Sequence, residues 1–104
     1  MKFSEIRKLE AIKLPADYTK LTQPQRAQVR KQYIILQEGK CWFCKEPLEE
    51  IPSETVRKAK LNLNLFPSGF LRFPIHLHHD HKTNMTIGAV HSECNGYLWQ
   101  YLGE

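Results

Sequence analysis

The chain has 104 residues, three cysteines and five histidines, and its formal net charge is +4 with a pI near 9.1. This length has room for one domain, whose small core would gain stability from a bound metal. An odd cysteine count excludes a complete set of internal disulfides, and no stretch has the character of a signal peptide or a membrane span. We therefore expect a soluble protein of a reducing compartment, the cytoplasm, with no membrane partner.

The positive charge is concentrated in the first part of the chain. Residues 1–40 contain nine Lys or Arg against four Asp or Glu, whereas residues 61–104 contain two against three. All five histidines fall between His76 and His91. This division suits a polyanion that one part of the protein holds and another part acts on, although a solvated basic surface would give the same pattern.

Two helices are predicted before the first cysteine. The first is short and amphipathic and ends before Pro15; its apolar residues at helical spacing are Phe3, Ile6 and Leu9. The second is predicted over about 23–38, because Thr22 is a suitable N-cap and Gly39 is a stop signal. Its expected buried residues recur at helical spacing and are Val29, Tyr33 and Leu36.

The rest of the chain predicts a cysteine knuckle, a helix, a hairpin and a closing helix. The helix is expected over about 54–64, and a segment rich in Phe and Pro follows it. Alternating residues that begin with a β-branched Ile predict a strand over 75–79, and a second strand is expected over 85–91. The apolar spacing after Cys94 predicts a short helix that ends the domain.

Two pairs of soft metal ligands share the same two-residue spacing. Cys41 and Cys44 form the first pair, and His91 and Cys94 form the second. Structural zinc is four-coordinate, and three cysteines with one histidine are among its usual ligand sets. The pairs therefore predict one zinc ion that joins the knuckle to a distant part of the chain. Three buried thiols are the alternative, and another histidine could replace His91.

A second constellation lies in and after the first predicted strand: His78, His79, Asp80, His81 and Asn95. If the strand continued this far, His78 and Asp80 would share one face, and His79 and His81 would share the other. A histidine with the side-chain oxygen of Asn95 could bind a catalytic divalent ion, while a second histidine deprotonates water. The alternatives are one further metal site without catalysis, or a structural turn held by Asp80.

These motifs, in this order, resemble the HNH or ββα-metal endonucleases, and within them the zinc-bearing branch related to phage endonuclease VII. The resemblance covers about residues 39–102. It implies an α+β, zinc-stapled ββα-metal (treble-clef-like) domain over residues 39–104. Residues 1–38 would be a basic helical extension packed on the same domain.

The resemblance also implies an enzyme, a DNA endonuclease that uses one Mg²⁺ or Mn²⁺ and leaves 5′-phosphate and 3′-hydroxyl ends. By position, His79 matches the general base, His78 the ligand of the catalytic metal, and Asn95 the central Asn of the family motif. His91 stands where the branch usually has cysteine, and no histidine follows Asn95 where the family motif has its last one. Asp80 and His81 could instead be the ligand and the base.

The predicted DNA contacts are basic side chains that would hold the phosphate backbone without reading sequence. They are Arg26, Arg30, Lys31 and Lys82. His81 would assist at the phosphate or the leaving group. Three aromatic residues could stack on bases or pack around the zinc: Trp42, Tyr97 and Trp99.

Two rival functions follow from the same cysteines. A non-catalytic zinc module that binds nucleic acid or protein would explain the knuckles and the charge, but not the histidine run. Redox chemistry at the Cys-x-x-Cys pair is disfavoured, because no thioredoxin-like βαβ pattern surrounds it. A homodimer would allow double-strand cleavage and a monomer would nick one strand; the sequence leaves both open.

Overall fold

The computed structural model describes residues 11–103. They form a small α+β fold, as predicted, with three helices and a two-stranded antiparallel sheet. In chain order the elements are α1 (Gln23–Leu36), α2 (Glu54–Lys58), β1 (Ile75–His79), β2 (Thr86–His91) and α3 (Ser92–Leu102). No helix within residues 11–103 is long and apolar enough to cross a membrane. The first predicted helix lies mainly outside the described residues, and residues 11–14 are not helical.

Helix α1 begins as predicted, with Thr22 and Gln25 forming a reciprocal capping box. Val29 and Tyr33 are buried, but Leu36 is 69% exposed, so its predicted place in the core was wrong. Leu36 is the last residue of the helix, and the position that contacts β2 at this end is the C-cap, residue 37. Gln37 fills it, accepting a hydrogen bond from the Ala89 backbone N–H (2.8 Å) and donating one to the Ala89 carbonyl (2.9 Å).

Both predicted strands are present and form a hairpin. Ile75 pairs with His91 and Leu77 with Ala89, and a bulge interrupts the register between His78 and His79. Ala89, Val90 and His91 are all buried. Because successive strand residues point to opposite faces, other parts of the protein must cover both faces of β2. Helices α1 and α3 both contact the hairpin.

The helix predicted over 54–64 was wrong in its second half, because α2 ends at Lys58. Beyond it, the Lys60 carbonyl accepts hydrogen bonds from the side chains of Gln100 and Tyr101 on α3. The side chain of Asn62 accepts a hydrogen bond from the backbone N–H of Asn64. The Asn62 side chain competes with helical hydrogen bonding, as Asn side chains often do. The bonds to Lys60 hold the start of the following loop against α3.

The segment before α1 pairs with the start of β2. Ala16 donates its backbone N–H to the Thr86 hydroxyl (2.9 Å), and the Thr86 N–H donates to the Ala16 carbonyl (2.8 Å). Tyr18 continues this contact by donating its N–H to the Asn84 carbonyl, at 2.8 Å. The segment thereby carries Tyr18 to the end of the hairpin where β1 finishes and β2 starts.

Candidate functional site

The structure brings together the four residues predicted as zinc ligands. The ligand atoms of Cys41, Cys44, His91 and Cys94 all lie within 4.8 Å of one another. Cys41, His91 and Cys94 are buried, and Cys44 is partly exposed. This group, called the Cys/His cluster from here on, is close enough to bind a metal ion.

The knuckle of this cluster is tied to β2 by backbone contacts. Cys41 donates its N–H to the Glu46 carbonyl (2.8 Å), closing the turn, and Trp42 donates its N–H to the Ala89 carbonyl (2.9 Å). The knuckle can approach this closely because residue 88 is glycine: a Cβ there would lie 3.0 Å from the Trp42 side chain and 2.8 Å from Gln37 Oε1. Gly88 therefore helps set the distance between the two ligand pairs.

The orientation of the His91 ring fits its predicted role as a ligand. Its Nε2 lies 2.9 Å from the Pro47 carbonyl oxygen, which can only accept, so the ring carries a proton there. Nδ1 is then the unprotonated nitrogen, and it lies 3.4 Å from the Cys44 sulfur and 3.6 Å from the Cys94 sulfur. A backbone carbonyl that fixes the tautomer is a usual partner of a metal-binding histidine.

Two thiols of the cluster have pKa values that are shifted in opposite directions. A hydrogen bond from Cys94 lowers the pKa of the Cys41 thiol to about 4, and the same bond raises the pKa of Cys94. Closely spaced thiolates repel one another, so a cation among them is the ordinary way for all three to ionise together. The donor set therefore fits a thiophilic divalent metal.

A second group of residues lines a cleft of about 570 Å³. This space is called the histidine cleft from here on. The polar side chains that line it include Gln23, Arg26, Arg30, His76, His79, His81 and Asn95. The two arginines come from α1, one turn apart, and Asn95 comes from α3. The cleft thus brings basic residues of the N-terminal third to the histidines of the C-terminal third.

His79, the predicted general base, is half-buried among aromatic and cationic groups. Its ring stacks on Tyr18 with centroids 4.0 Å apart, and the His81 ring lies edge-on at 4.8 Å. Burial, and then the positive charges of His81, His78 and Arg26, lower the pKa of His79 below its usual value. The imidazole is therefore kept neutral, the form in which it can accept a proton.

Asn95 contacts His76 rather than His78. Its Nδ2 donates a hydrogen bond to Nδ1 of His76 at 3.2 Å, which leaves Oδ1 as the atom of the amide able to ligate a cation. Burial, and then the charge of Arg30, lower the pKa of His76. His76 was given no role from the sequence, and its place at the start of the histidine run was the signal that could have indicated one.

His78, the predicted ligand of the catalytic metal, is 1% exposed and does not line the cleft. Its ring lies 5.7 Å from that of Trp42, on the side of the knuckle. The bulge after His78 turns His79 toward Tyr18. The structure therefore separates His78 from the wall on which Asn95 lies, and its role as a ligand stays a prediction.

The remaining predicted site residues lie outside the cleft wall. The strand ends at His79, so Asp80 does not share a strand face with His78 as expected. Its carboxylate accepts backbone hydrogen bonds from Lys82 (2.7 Å) and Thr83 (3.2 Å), which lower the pKa of Asp80. This is the structural turn that the sequence analysis gave as an alternative. Lys31 and Lys82 are exposed and do not line the cleft.

Comparison of the chain with protein-family models, curated proteins and solved structures gave no match. Any assignment of function therefore rests on the geometry of the Cys/His cluster and the histidine cleft.

Proposed function

We propose that this protein is a metal-dependent DNA endonuclease of the ββα-metal type, with a structural zinc and a histidine general base. One observation carries the proposal: His76, His79, His81 and Asn95 line a single cleft together with two arginines of α1, Arg26 and Arg30. Imidazoles for proton transfer, an amide oxygen for a cation and guanidinium groups for phosphates are what phosphodiester hydrolysis needs. The order β1, β2, α3 supports the same interpretation.

The Cys/His cluster is the proposed zinc site. Cys41, Cys44 and Cys94 would bind through sulfur and His91 through Nδ1, which completes a closed four-ligand set of the structural type. Asn95 follows Cys94 directly in the first turns of α3. A zinc ion that fixes Cys94 would therefore also fix the position of Asn95 on the wall of the histidine cleft.

His79 is the proposed general base. Its lowered pKa keeps the ring neutral near pH 7, and it lies on the cleft wall where water and a phosphate could meet. The neutral ring would accept a proton from water as the water attacks phosphorus. Arg30 and Arg26, which line the same cleft, would hold the negative phosphate oxygens, and His81 would reach the phosphate or the leaving oxygen.

The catalytic Mg²⁺ or Mn²⁺ remains an expectation from the resemblance. A bound divalent ion would stabilise the charge that develops on the phosphate and on the leaving oxygen. Asn95 and a cleft imidazole are the donors that fit it, and His76 is the imidazole next to Asn95. The predicted pair of His78 and Asn95 does not meet in this arrangement, because His78 is buried beside Trp42.

The rival proposal is a non-catalytic zinc module. It would account for the Cys/His cluster and the basic face of α1, but it would give the residues of the histidine cleft no function. Supercoiled plasmid incubated with the purified protein and Mg²⁺ or Mn²⁺ separates the two. The endonuclease proposal predicts nicked or linear product that depends on the added metal. Intact plasmid under every divalent metal tried, from protein shown to carry zinc, would favour the binding module.

A further inference from the structure

A second, smaller cavity of about 250 Å³ opens beside the histidine cleft. It lies between α3 and the loop of residues 61–74. We call it the aromatic cavity. Its polar lining residues are His81 and Asn95, and its apolar ones are Leu65, Phe66, Pro67, Phe70 and Trp99. Phe70, His81 and Asn95 also line the histidine cleft, so the two spaces adjoin.

The loop is seated on α3 at one glycine. A Cβ on Gly96 would lie 3.1 Å from Leu61 Cδ1 and 3.4 Å from the Phe70 ring, so a larger residue would push the loop outward. Asn95 and Trp99 flank this point at i and i+4, on one face of the helix. The cavity is therefore formed by packing between the loop and α3, with its polar and aromatic sides fixed on the same helix.

The aromatic rings of the cavity are arranged against one another and leave Trp99 accessible. Phe66 stacks on Phe70 with centroids 4.6 Å apart, and it meets Trp99 nearly edge-on at 5.5 Å. Phe70 in turn contacts the edge of His76 at 4.8 Å. Trp99 is 44% exposed, so part of its ring is accessible to a ligand.

The chemistry of this space selects a flat, partly polar ligand. Aromatic walls bind the face of a planar ring, and His81 and Asn95 offer hydrogen-bonding groups to its edge. The adjoining cleft carries Arg26 and Arg30, which suit a phosphate attached to that same ligand. A nucleobase in a DNA strand has a planar ring, a polar edge and an attached phosphate. An apolar peptide side chain has no phosphate to place beside the arginines.

We propose that the aromatic cavity binds one unstacked nucleobase of the DNA strand whose phosphate lies in the histidine cleft. This inference rests on the proposed function for the identity of the ligand. A base within an intact duplex is stacked on both faces and would first have to leave the stack and its partner, which costs free energy that an unpaired base does not pay in full. The substrate class is therefore DNA with at least one unpaired base beside the scissile phosphate: single strands, bulges or frayed ends.

The test compares binding of a labelled single-stranded oligonucleotide with binding of its blunt duplex, by fluorescence anisotropy without added catalytic metal. The variant is Trp99→Ala, and the control is Leu102→Ala, which truncates another exposed apolar residue of α3 that lines neither the cavity nor the cleft. Base–aromatic stacking predicts that Trp99→Ala weakens single-strand binding about tenfold and duplex binding less than about twofold. Equal effects on both DNAs, or none, would overturn the proposal.

A second measurement, of tryptophan fluorescence, leaves the Trp99 ring in place. Trp42 and Trp99 are the two tryptophans of the chain, so Trp42→Phe leaves Trp99 as the single indole fluorophore. The single strand should quench its emission, and the same strand with abasic positions throughout should not. Equal quenching by both strands would contradict stacking.

Both readouts measure binding and are independent of cleavage. If the plasmid is cut but Trp99→Ala shows no selective effect, the base site fails and the endonuclease proposal stands. If the selective effect appears without any cleavage, the base site stands and the endonuclease proposal fails.

Discussion

The ring of Tyr18 lies flat on the imidazole of His79, with centroids 4.0 Å apart and planes 11° from parallel. The guanidinium of Arg26 covers the Tyr18 ring at 3.9 Å and donates two hydrogen bonds to the Tyr18 carbonyl. The proposed base is thus held by a residue of the N-terminal segment, which the family resemblance does not cover. Residues before the knuckle complete the histidine cleft as well as adding charge.

Tyr18 is therefore expected to position His79. Tyr18→Leu should lower kcat about tenfold with little change in KM, because a tilted imidazole misaligns the attacking water. Tyr18→Phe keeps the ring and should retain nearly full activity. Cleavage kinetics of the two variants check this, and equal losses in both would mean that the hydroxyl, rather than the stacked face, matters.

Arg30 is expected to contact a phosphate. Arg30→Gln should weaken DNA binding uniformly across sequences and reduce the slope of log K against log salt concentration by about one. Arg57, exposed on α2, offers the matched control in Arg57→Gln. Binding titrations over a range of salt concentrations measure the slopes. An equal change in both variants would mean that net charge, and not the position of Arg30 on the cleft wall, explains the effect.

His76 and Asn95 should act as one unit, because they share a hydrogen bond of 3.2 Å. His76→Ala and Asn95→Ala should each lower the cleavage rate, and the double variant should be little worse than the poorer single one. A double-mutant cycle of single-turnover rates measures the coupling. Strictly additive losses would show that the contact has no part in the reaction.

His78 should behave differently from His76, since it is buried beside Trp42. His78→Ala removes a fully buried side chain and should lower the free energy of unfolding by about 1–3 kcal/mol. His76→Ala should change it by less than that. Thermal or urea unfolding of the two variants measures this difference in the free energy of unfolding. If His78→Ala is as stable as wild type but needs far more Mn²⁺ for cleavage, the predicted role of His78 as a metal ligand would be restored.

The Cys/His cluster should hold about one zinc per chain, by its four-ligand count. Cys94→Ser should lose this zinc and lower Tm, because metal binding and folding are coupled in small domains. Elemental analysis and thermal unfolding measure the two effects. Zinc content that is unchanged in Cys94→Ser would contradict the ligand set.

Local patterns predicted the parts of the molecule that local chemistry determines. The spacing of Cys41 and Cys44, and of His91 and Cys94, was enough to predict the cluster that the structure brings together. Alternation along β1 predicted its strand. Each ligand pair, like the strand pattern, spans only a few residues, where backbone geometry sets the relation. That the two distant pairs bind one metal was inferred from the four ligands that structural zinc requires.

Tertiary contacts determined what the sequence could not predict. Tyr18 stands 61 positions before His79, and no local pattern marks it as a partner. The predicted second half of helix 54–64 gave way to hydrogen bonds between Lys60 and residues of α3. Leu36 is exposed and not in the core, and the side-chain amide of Gln37 instead makes hydrogen bonds with the backbone N–H and carbonyl of Ala89 in β2.

Single-turnover cleavage with His79→Ala tests whether His79 is the general base of a nuclease. We expect a rate about 10²- to 10⁴-fold below wild type. Zinc content and DNA binding, measured on the same samples, should stay at wild-type levels. A His79→Ala protein that cuts DNA as fast as wild type would contradict the claim.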